Sequence, residues 1–477
     1  MNKKYLLSLF VLTISFNLVQ AQFSKFDLSG YKLPEIKTNR LDFNINLNNS
    51  GNYRIQGYPN DTLRIKQNLF SLSGGLSFYR FINNERHQGT TSIHSDFNTA
   101  NRFEESGNLE STLKSIDAYF AIDADHYFFN SSQYFIGAEP SFRINAGNDR
   151  SRTDYNSNSG IDYSSSTSLS LSIPLSVGHG RIEPVEDLRL AIYIVEELNK
   201  AGGLLEMPSE EIILGMAREI SKIKRKRFLD SRLRKIEELQ VIDSFLVANN
   251  VVKGGDIRYF TILNDQWDYA SGPARESGFS WNGGLDNSVS LGKGYARYGD
   301  MNDPYRSDSK YSEVFAGVFF KLRYAKPLNL YWQVSAQLRS AYGILVTRYP
   351  GSEDSDITDY NSGRFNTEFR MSLQYLPNSR TSFNLGLSGY SQNINSDRVR
   401  AGLEPAPYHL VSNIINVSPY FDFYYYISPR LRIQLDSQLS SFVNRSSMDF
   451  DSQVADIDEC LRVGDNQVIL RLVYSFF

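Results

Sequence analysis

Five histidines are the first residues to test for acid–base or metal chemistry: His87, His94, His126, His179 and His409. They are scattered, and none forms the His-x-x-x-His pair or Glu-containing motif of a zinc site. His126 stands beside Tyr127, Phe128 and Phe129, a setting that suits an aromatic belt. His179 sits where strands give way to helices, so a structural hydrogen bond is its expected role. Cys460 is the single cysteine, which excludes an intramolecular disulfide framework and a multi-cysteine metal centre. Serines are abundant, but none lies in a nucleophile motif. Asp449, Asp451, Asp456, Asp458 and Glu459 gather acidic oxygens that suit calcium. Their spacing is not that of an EF-hand, so a solvated external loop is expected. The chain is therefore expected to be no enzyme, with no cofactor and no metal site.

The charged residues carry more information, because many alternate with apolar ones. Leu431, Ile433, Leu435 and Leu439 alternate with Arg432, Gln434, Asp436 and Gln438. Phe365, Phe369, Met371, Leu373 and Tyr375 alternate with Glu368, Arg370, Ser372 and Gln374. Leu169, Leu171, Ile173, Leu175 and Val177 alternate with serines. A period of two held over about ten residues gives a strand one lipid face and one wet face, the signature of a transmembrane barrel. The wet positions predict a lumen lined by Asp117, Asp123, Glu139, Arg143, Lys321, Arg323, Arg339, Glu368, Arg370, Arg432, Asp436 and Arg471, with Asp125, Glu313 and Arg430 beside them. Charges of both signs fit either a selective pore lining or a salt-bridged, closed interior.

The elements that must position these residues are about fourteen antiparallel strands, from near Leu41 to Phe477. Short turns are expected near Asn130-Ser131, Lys326-Pro327, Pro377-Asn378 and Ser428-Pro429. Long polar loops are expected near 100–111, 147–160, 293–310, 347–363, 392–410 and 445–464. The fold class is thus an all-β transmembrane antiparallel barrel with an inserted soluble α-helical domain. The composition agrees: 30 Tyr and 31 Phe against 6 Met, and a net charge of −3.

Residues 180–273 interrupt the alternation. Glu183-Pro184 is expected to open a first helix, since proline is tolerated in a first turn. Val185, Leu188, Ile192 and Val195 then recur at helical spacing, and Gly202-Gly203 ends the run. Ser209 is the N-cap candidate of a second helix with Ile212, Ile213, Met216, Ala217, Ile220 and Ile223 as its stripe. Leu229, Leu233, Ile236, Leu239, Ile242, Phe245 and Leu246 predict a third. Ile257, Phe260, Leu263 and Trp267 predict a fourth. No window approaches a spanning helix. Arg218, Lys222, Lys224, Arg225, Lys226, Arg227, Arg232, Arg234 and Lys235 form a basic run. It reads either as a solvated face paired to Glu219, Glu237 and Glu238, or as a patch for an anionic partner such as lipid head groups or a periplasmic protein.

At the N-terminus, Lys3 and Lys4 precede the apolar run Tyr5 to Phe16, and Val19-Gln20-Ala21 fits a cleavage site. Residues 1–21 read as a secretory signal peptide. Barrel segments 22–179 and 274–477 then flank the insert. About twenty residues separate Ala21 from the first strand, too few for the large plug of a TonB-dependent transporter. Val468, Leu470, Leu472, Tyr474 and Phe476 alternate up to the final Phe477. This resembles the terminal aromatic signal read by barrel-assembly machinery, displaced by one residue.

Gly178-His-Gly-Arg-Ile-Glu-Pro-Val-Glu-Asp187, Lys226-Arg-Phe-Leu-Asp-Ser-Arg-Leu-Arg-Lys-Ile-Glu-Glu-Leu239 and Ile242-Asp-Ser-Phe-Leu246 are similar to stretches in uncharacterised outer-membrane barrel proteins of Gram-negative bacteria. The resemblance implies a barrel with a periplasmic helical module and carries no activity. Strand parity places the insert on the periplasmic side, because it replaces a short turn. The expected partners are outer-membrane lipid, the assembly machinery and an anionic or protein partner in the envelope, but not nucleic acid. The function expected is a channel or transport protein for small polar solutes. The alternative is an anchor whose insert binds a periplasmic partner.

Overall fold

The structure is a computed structural model that describes residues 26–58, 61–106, 109–155, 158–225, 231–253, 257–269, 275–298, 305–349, 360–400, 406–428, 431–450 and 457–474. The candidate signal peptide lies outside them. A 3-10 turn, Leu28–Gly30, precedes β1 (Ile36–Tyr58), β2 (Asp61–Asn83), β3 (His87–Ser106) and β4 (Leu109–Phe129). Next come β5 (Tyr134–Ala138), β6 (Ser141–Tyr155), β7 (Asn158–Ser172) and β8 (Leu175–Pro184). The helices α1 (Glu186–Lys200), α2 (Glu210–Ile223), α3 (Ser231–Ala248) and α4 (Ile257–Asp268) follow. The second run of strands is β9 (Glu276–Tyr298), β10 (Tyr305–Pro327), β11 (Trp332–Arg348) and β12 (Tyr360–Tyr375), then β13 (Thr381–Arg400), β14 (Ala406–Ser428), β15 (Leu431–Phe450) and β16 (Ile457–Tyr474).

All sixteen segments join one antiparallel sheet, in which β5 pairs with β4 and β8, and β6 with β4 and β7. β5 and β6 share one register against β4, and β7 and β8 share one register against β9. Each pair is therefore a single strand interrupted at a proline, Pro140 or Pro174, which cannot donate to the ladder. Counted this way the sheet has fourteen strands, the number expected from alternation. Among the described residues no ladder joins β1 to β16.

The sheet's outer face is apolar. Leu41, Phe43, Ile45 and Leu47 of β1 are exposed, as are Val314, Val318 and Phe320 of β10. Near the end that carries the tight turns, Trp332 stacks on Tyr375, Tyr375 on Phe383 and Phe383 on Phe423, with centroids 4.5, 6.1 and 5.0 Å apart. That ladder of rings crosses four strands and forms an aromatic girdle, where amphipathic rings meet the membrane interface. These features make an outer-membrane barrel-like fold.

Three expectations need correction. The stretches 100–111, 147–160, 293–310, 392–410 and 445–464 are mostly strand, because β3, β4, β6, β7, β9, β10 and β13 to β16 run on well past the apolar band. Strands of 15 to 23 residues exceed the ~9–11 needed to span, so their polar far halves continue the ladder beyond it. The strand β8 reaches Pro184, so Glu183-Pro184 ends a strand and α1 starts at Glu186. Third, Ile236, Ile257 and Phe260 are exposed, and Tyr259 takes the buried position expected of Phe260. Leu229 lies outside the described residues, and no side chain is described for Leu233.

Candidate functional site: a polar inner wall with the helical insert docked at its turn end

The insert grows from a hairpin. The β8–β9 ladder runs to Pro184↔Glu276, and Val185 N–H then donates to the Arg275 carbonyl at 2.8 Å. Ser209 caps α2 by accepting from the Ile212 N–H, as its position implied. The helix α1 is buried almost all round. Leu188, Ile192 and Val195 face the expected core, but Leu190, Tyr193 and Ile194 on the other faces are buried too. A helix buried on every side, its charged Asp187, Arg189 and Glu196 included, is packed between other elements. Here one side meets α2 and α4, and the other meets the end of the barrel.

The hydrophobic core is correspondingly shared. It holds Val185, Leu198, Met216, Leu246 and Leu263 of the insert together with Tyr31 and Leu33 ahead of β1, Ile36 at its start and Leu330 of the β10–β11 turn. Polar contacts fix the same seat. Tyr193 donates to the Leu376 carbonyl at 3.2 Å, and Ser379 donates to Gln266 at 3.3 Å. Tyr269 packs edge-on against Tyr426, with centroids 5.7 Å apart. The insert thus touches the N-terminal segment, the turns after β10 and β12, and the end of β14. It covers the turn end of the barrel instead of hanging from one hairpin.

Two buried networks hold the cap. Arg275, fully buried, donates to the carbonyls of Leu330 at 2.6 Å, Asn329 at 2.9 Å and Trp332 at 2.9 Å, and to Gln333 Oε1 at 3.1 Å. Burial, reinforced by nearby Arg189, pulls its pKa down to about 9, so it stays charged at neutral pH. The second network centres on buried Asp187. It pairs with Lys224 at 2.7 Å and Arg225 at 3.2 Å and accepts from Ser221 at 2.5 Å. The Tyr31 hydroxyl lies 2.7 Å from Ser221 Oγ, and burial pushes its pKa up, which keeps it protonated. Burial alone would raise the pKa of Asp187, but its two cations outweigh that and hold it below the ordinary value. Beside it, burial and the Asp187 charge raise Glu186.

The candidate basic patch is mostly absorbed into such pairs. Lys222 meets Glu219 at 2.7 Å, Arg234 meets Glu238 at 2.7 Å, and Lys235 meets Asp268 at 2.5 Å. Lys224 and Arg225 turn inward to Asp187, and Arg218 is exposed. Lys226 and Arg227 lie outside the described residues, and no side chain is described for Arg232.

All twelve candidate lumen residues share the inward parity of their strands, opposite to the exposed apolar positions. Several are paired: Arg143 with Asp123 at 2.8 Å, Lys321 with Glu139 at 3.0 Å, Arg323 with Glu276 at 3.2 Å, Arg339 with Asp286 at 2.5 Å, and Arg471 with Asp436. Asp117 accepts from Asn98 at 3.4 Å, while Glu368 lines a cavity beside Arg370. Arg432 lies inward near the turn end, and Arg430 lies outside the described residues. Sequence reasoning missed Asp286 and Glu276, the partners of two of these arginines. Asp286 sits between glycines and serines that blur the alternation, and Glu276 lies at the very start of the second barrel segment, ahead of any alternation.

The wall is hollow rather than filled. One cavity of about 440 Å³ lies between the cap and the wall, bordered by Gln88, Asp125, Tyr127, Glu186, Arg225 and Arg323. Two more, of about 420 and 300 Å³, lie along β11 to β16.

The histidines do not converge on a site. His87 and His126 touch through ring nitrogens 2.9 Å apart, with His87 stacked 4.6 Å from Phe128 on the outer face. His179 packs edge-on against Tyr134 at 4.7 Å. His94 lies 2.5 Å from Asp96, and His409 lies 2.7 Å from Asp397. Among the described residues no three His, Cys, Asp or Glu side chains are grouped to hold a metal. Of the acidic stretch, Asp449 accepts from Ser447 at 3.1 Å. Asp451 and Asp456 lie outside the described residues, and no side chain is described for Asp458 or Glu459.

No family model matches the chain, and no curated protein matches it. Among solved structures it is similar to the translocator domain of the autotransporter NalP from Neisseria meningitidis, at 7% identity and a TM-score of 0.26, over 80% of this chain and 87% of that one. It is also similar to the ferric yersiniabactin uptake receptor FyuA from Yersinia pestis, at 8% identity and a TM-score of 0.34, over 91% of this chain and 77% of that one. The likeness is one of fold alone, and the functional argument rests on the lumen and its cap.

Proposed function

We propose that the protein is an outer-membrane transport barrel for small polar solutes, gated at its periplasmic end by the helical insert. The observation that carries this reading is the hollow, polar inner wall, whose turn end is covered by a docked helix bundle. A wall built only for anchoring gains nothing from cavities lined by charged and amide groups, since voids cost packing energy. The insert emerges at the end that carries the tight turns, and short turns face the periplasm in such barrels. That supports a periplasmic cap. The core shared between insert and turns weighs against a freely projecting interaction module.

The test is single-channel conductance in planar bilayers, on the intact protein and on a version with residues 186–268 replaced by a short turn. The gated-barrel reading expects a small or intermittent current from the intact protein and a large steady one after replacement. Silence from both, with the barrel shown to be folded, would retire transport and leave the anchored module.

A further inference from the structure

The inner wall is not uniform. Across β9 to β11 its charges are taken up in ion pairs such as Lys321–Glu139 and Arg339–Asp286. Across β11 to β16 amides and hydroxyls stand among the charged groups. Gln337, Ser388, Asn416, Ser418 and Gln438 line a cavity of about 420 Å³. A second cavity of about 300 Å³ shares Arg370, Ser388 and Gln438 with the first, so the two form one elongated depression. Each is of the size that takes small-molecule ligands.

Arg370 stands at the junction. Its Nε donates to the Tyr420 hydroxyl at 3.1 Å, and its guanidinium lies 4.9 Å over the Tyr420 ring. No carboxylate forms a salt bridge with it among the described residues, so the rest of its rigid donor fork is offered to the cavity. Glu368 in the first cavity balances its charge, and of the two carboxylates in the second cavity Asp436 is paired with Arg471 while Asp422 accepts from Asn384 at 3.1 Å. Such a wall has little net field to hold an ion. It has many groups that both donate and accept, and it has a flat ring.

We infer that the β11–β16 wall is a binding site for a neutral, polyhydroxylated solute, an oligosaccharide. Sugar hydroxyls donate and accept at once, as the amides and serines of this wall do. Planar side chains such as Arg370, Gln337 and Gln438 can bridge adjacent hydroxyls. Half-buried Tyr390, in the same cavity, offers the apolar face on which a pyranose ring packs, while the buried Tyr420 ring supports Arg370. The inference deepens the transport reading, on which it rests for its route to the cavity.

The test is isothermal titration of the full chain in detergent with four neutral hexasaccharides: maltohexaose, cellohexaose, xylohexaose and chitohexaose. A tetra-aspartate peptide and spermidine serve as charged controls. Saturable binding of at least one sugar is expected, with neither charged control binding. Arg370→Ala should weaken that binding at least tenfold. Gln438→Leu is the second variant and should weaken it severalfold, with the heat-modifiable band of a folded barrel checked for each. Failure of all four sugars, or binding unchanged in both folded variants, overturns the site. Liposome swelling separates the two readings. Sugar flux without saturable binding removes the site and leaves transport, whereas binding with no flux, even with the cap replaced, removes transport and leaves the site.

Discussion

Arg380, in the turn between β12 and β13, grips Asp265 of α4 with hydrogen bonds of 2.7 and 2.8 Å. The same guanidinium lies 4.3 Å over the ring of Tyr269, just past the helix. A barrel turn is thereby clamped to the last helix of the insert. The pair is more than a third exposed, so its worth is modest, about 1 kcal/mol with the ring contact included. Arg380→Ala should raise the population of the undocked cap about fivefold, seen as more frequent openings in bilayer recordings or faster proteolysis of the insert. Arg380→Lys should rescue only part, because an ammonium can reach Asp265 but has no planar face to lay over the Tyr269 ring. Identical opening frequencies in wild type and Arg380→Ala would remove this clamp from the gate.

Arg275 carries a larger share. It is buried and satisfies three backbone carbonyls and one amide oxygen, with no carboxylate among its partners. Arg275→Met would leave buried acceptors of the β10–β11 turn without donors, at a cost of at least ~3 kcal/mol. The midpoint of urea unfolding should fall clearly, and a midpoint within error of wild type would show that water replaces the guanidinium.

The two acids at the start of α1 make the cap sensitive to pH in opposite directions. Asp187 titrates below its ordinary 3.8, so its stabilising contribution is present above that value and is lost as pH falls below it. Glu186 titrates above its ordinary 4.5, through burial first and the Asp187 charge second. Its ionised form therefore costs stability at high pH, and that cost is relieved as pH falls toward 4.5. Lys224 and Arg225 face both groups. The cap should be firmest in mild acid and weaker on either side. Glu186→Gln should tighten it at neutral pH and flatten the slope on the alkaline side, while Asp187→Asn should loosen it at every pH above 4. Hydrogen exchange of α1 measured from pH 4 to 8 reads both effects.

Much of this fold was legible because a membrane strand advertises itself twice, once on each face. Leu431 to Leu439 needed no tertiary information to be placed, and fourteen strands emerged from parity. The far halves of β3, β4, β9 and β10 were not legible. Beyond the apolar band both faces are polar, so alternation vanishes although the ladder continues. The docking of the insert was hidden for a different reason. A helical stripe such as Leu188, Ile192 and Val195 says that a face is buried, but not against what. The extra signal was Leu190, Tyr193 and Ile194 on the remaining faces of α1. Lumen residues could be assigned a side from parity, whereas partners such as Asp286 for Arg339 depend on register between strands two places apart.

Lys321 and Glu139 are both largely buried, lie 3.0 Å apart, and sit on strands separated by two others. Tyr127 also donates to Glu139, at 2.8 Å. Removing one charge strands the other in a poorly solvated wall, which typically costs about 3–5 kcal/mol, whereas removing both can be nearly neutral. Lys321→Met should thus destabilise the barrel more than the double change Lys321→Met, Glu139→Gln. The reverse order in thermal unfolding would mean that water already reaches the pair.

Gly386 lies directly across from Tyr420, and a Cβ at Gly386 would come within 2.2 Å of the Tyr420 ring. The missing side chain is what lets the ring lie flat over the neighbouring strand, where Arg370 meets it. Ordinary strand propensity predicts that Gly→Ala stabilises, by roughly 0.5–1 kcal/mol. Here the sign should reverse, because the ring must leave its rotamer and Arg370 must follow, a strain of about 1–3 kcal/mol. Gly74→Ala is the control, since its Cβ would meet nothing closer than 3.8 Å. Thermal unfolding should show Gly386→Ala below wild type and Gly74→Ala at or above it. Any hexasaccharide bound by the wild type should bind Gly386→Ala more weakly, while Gly74→Ala keeps its affinity. Equal stability of the two variants would mean that the ring swings away freely, and the Tyr420–Arg370 contact would then not be a fixed part of the wall.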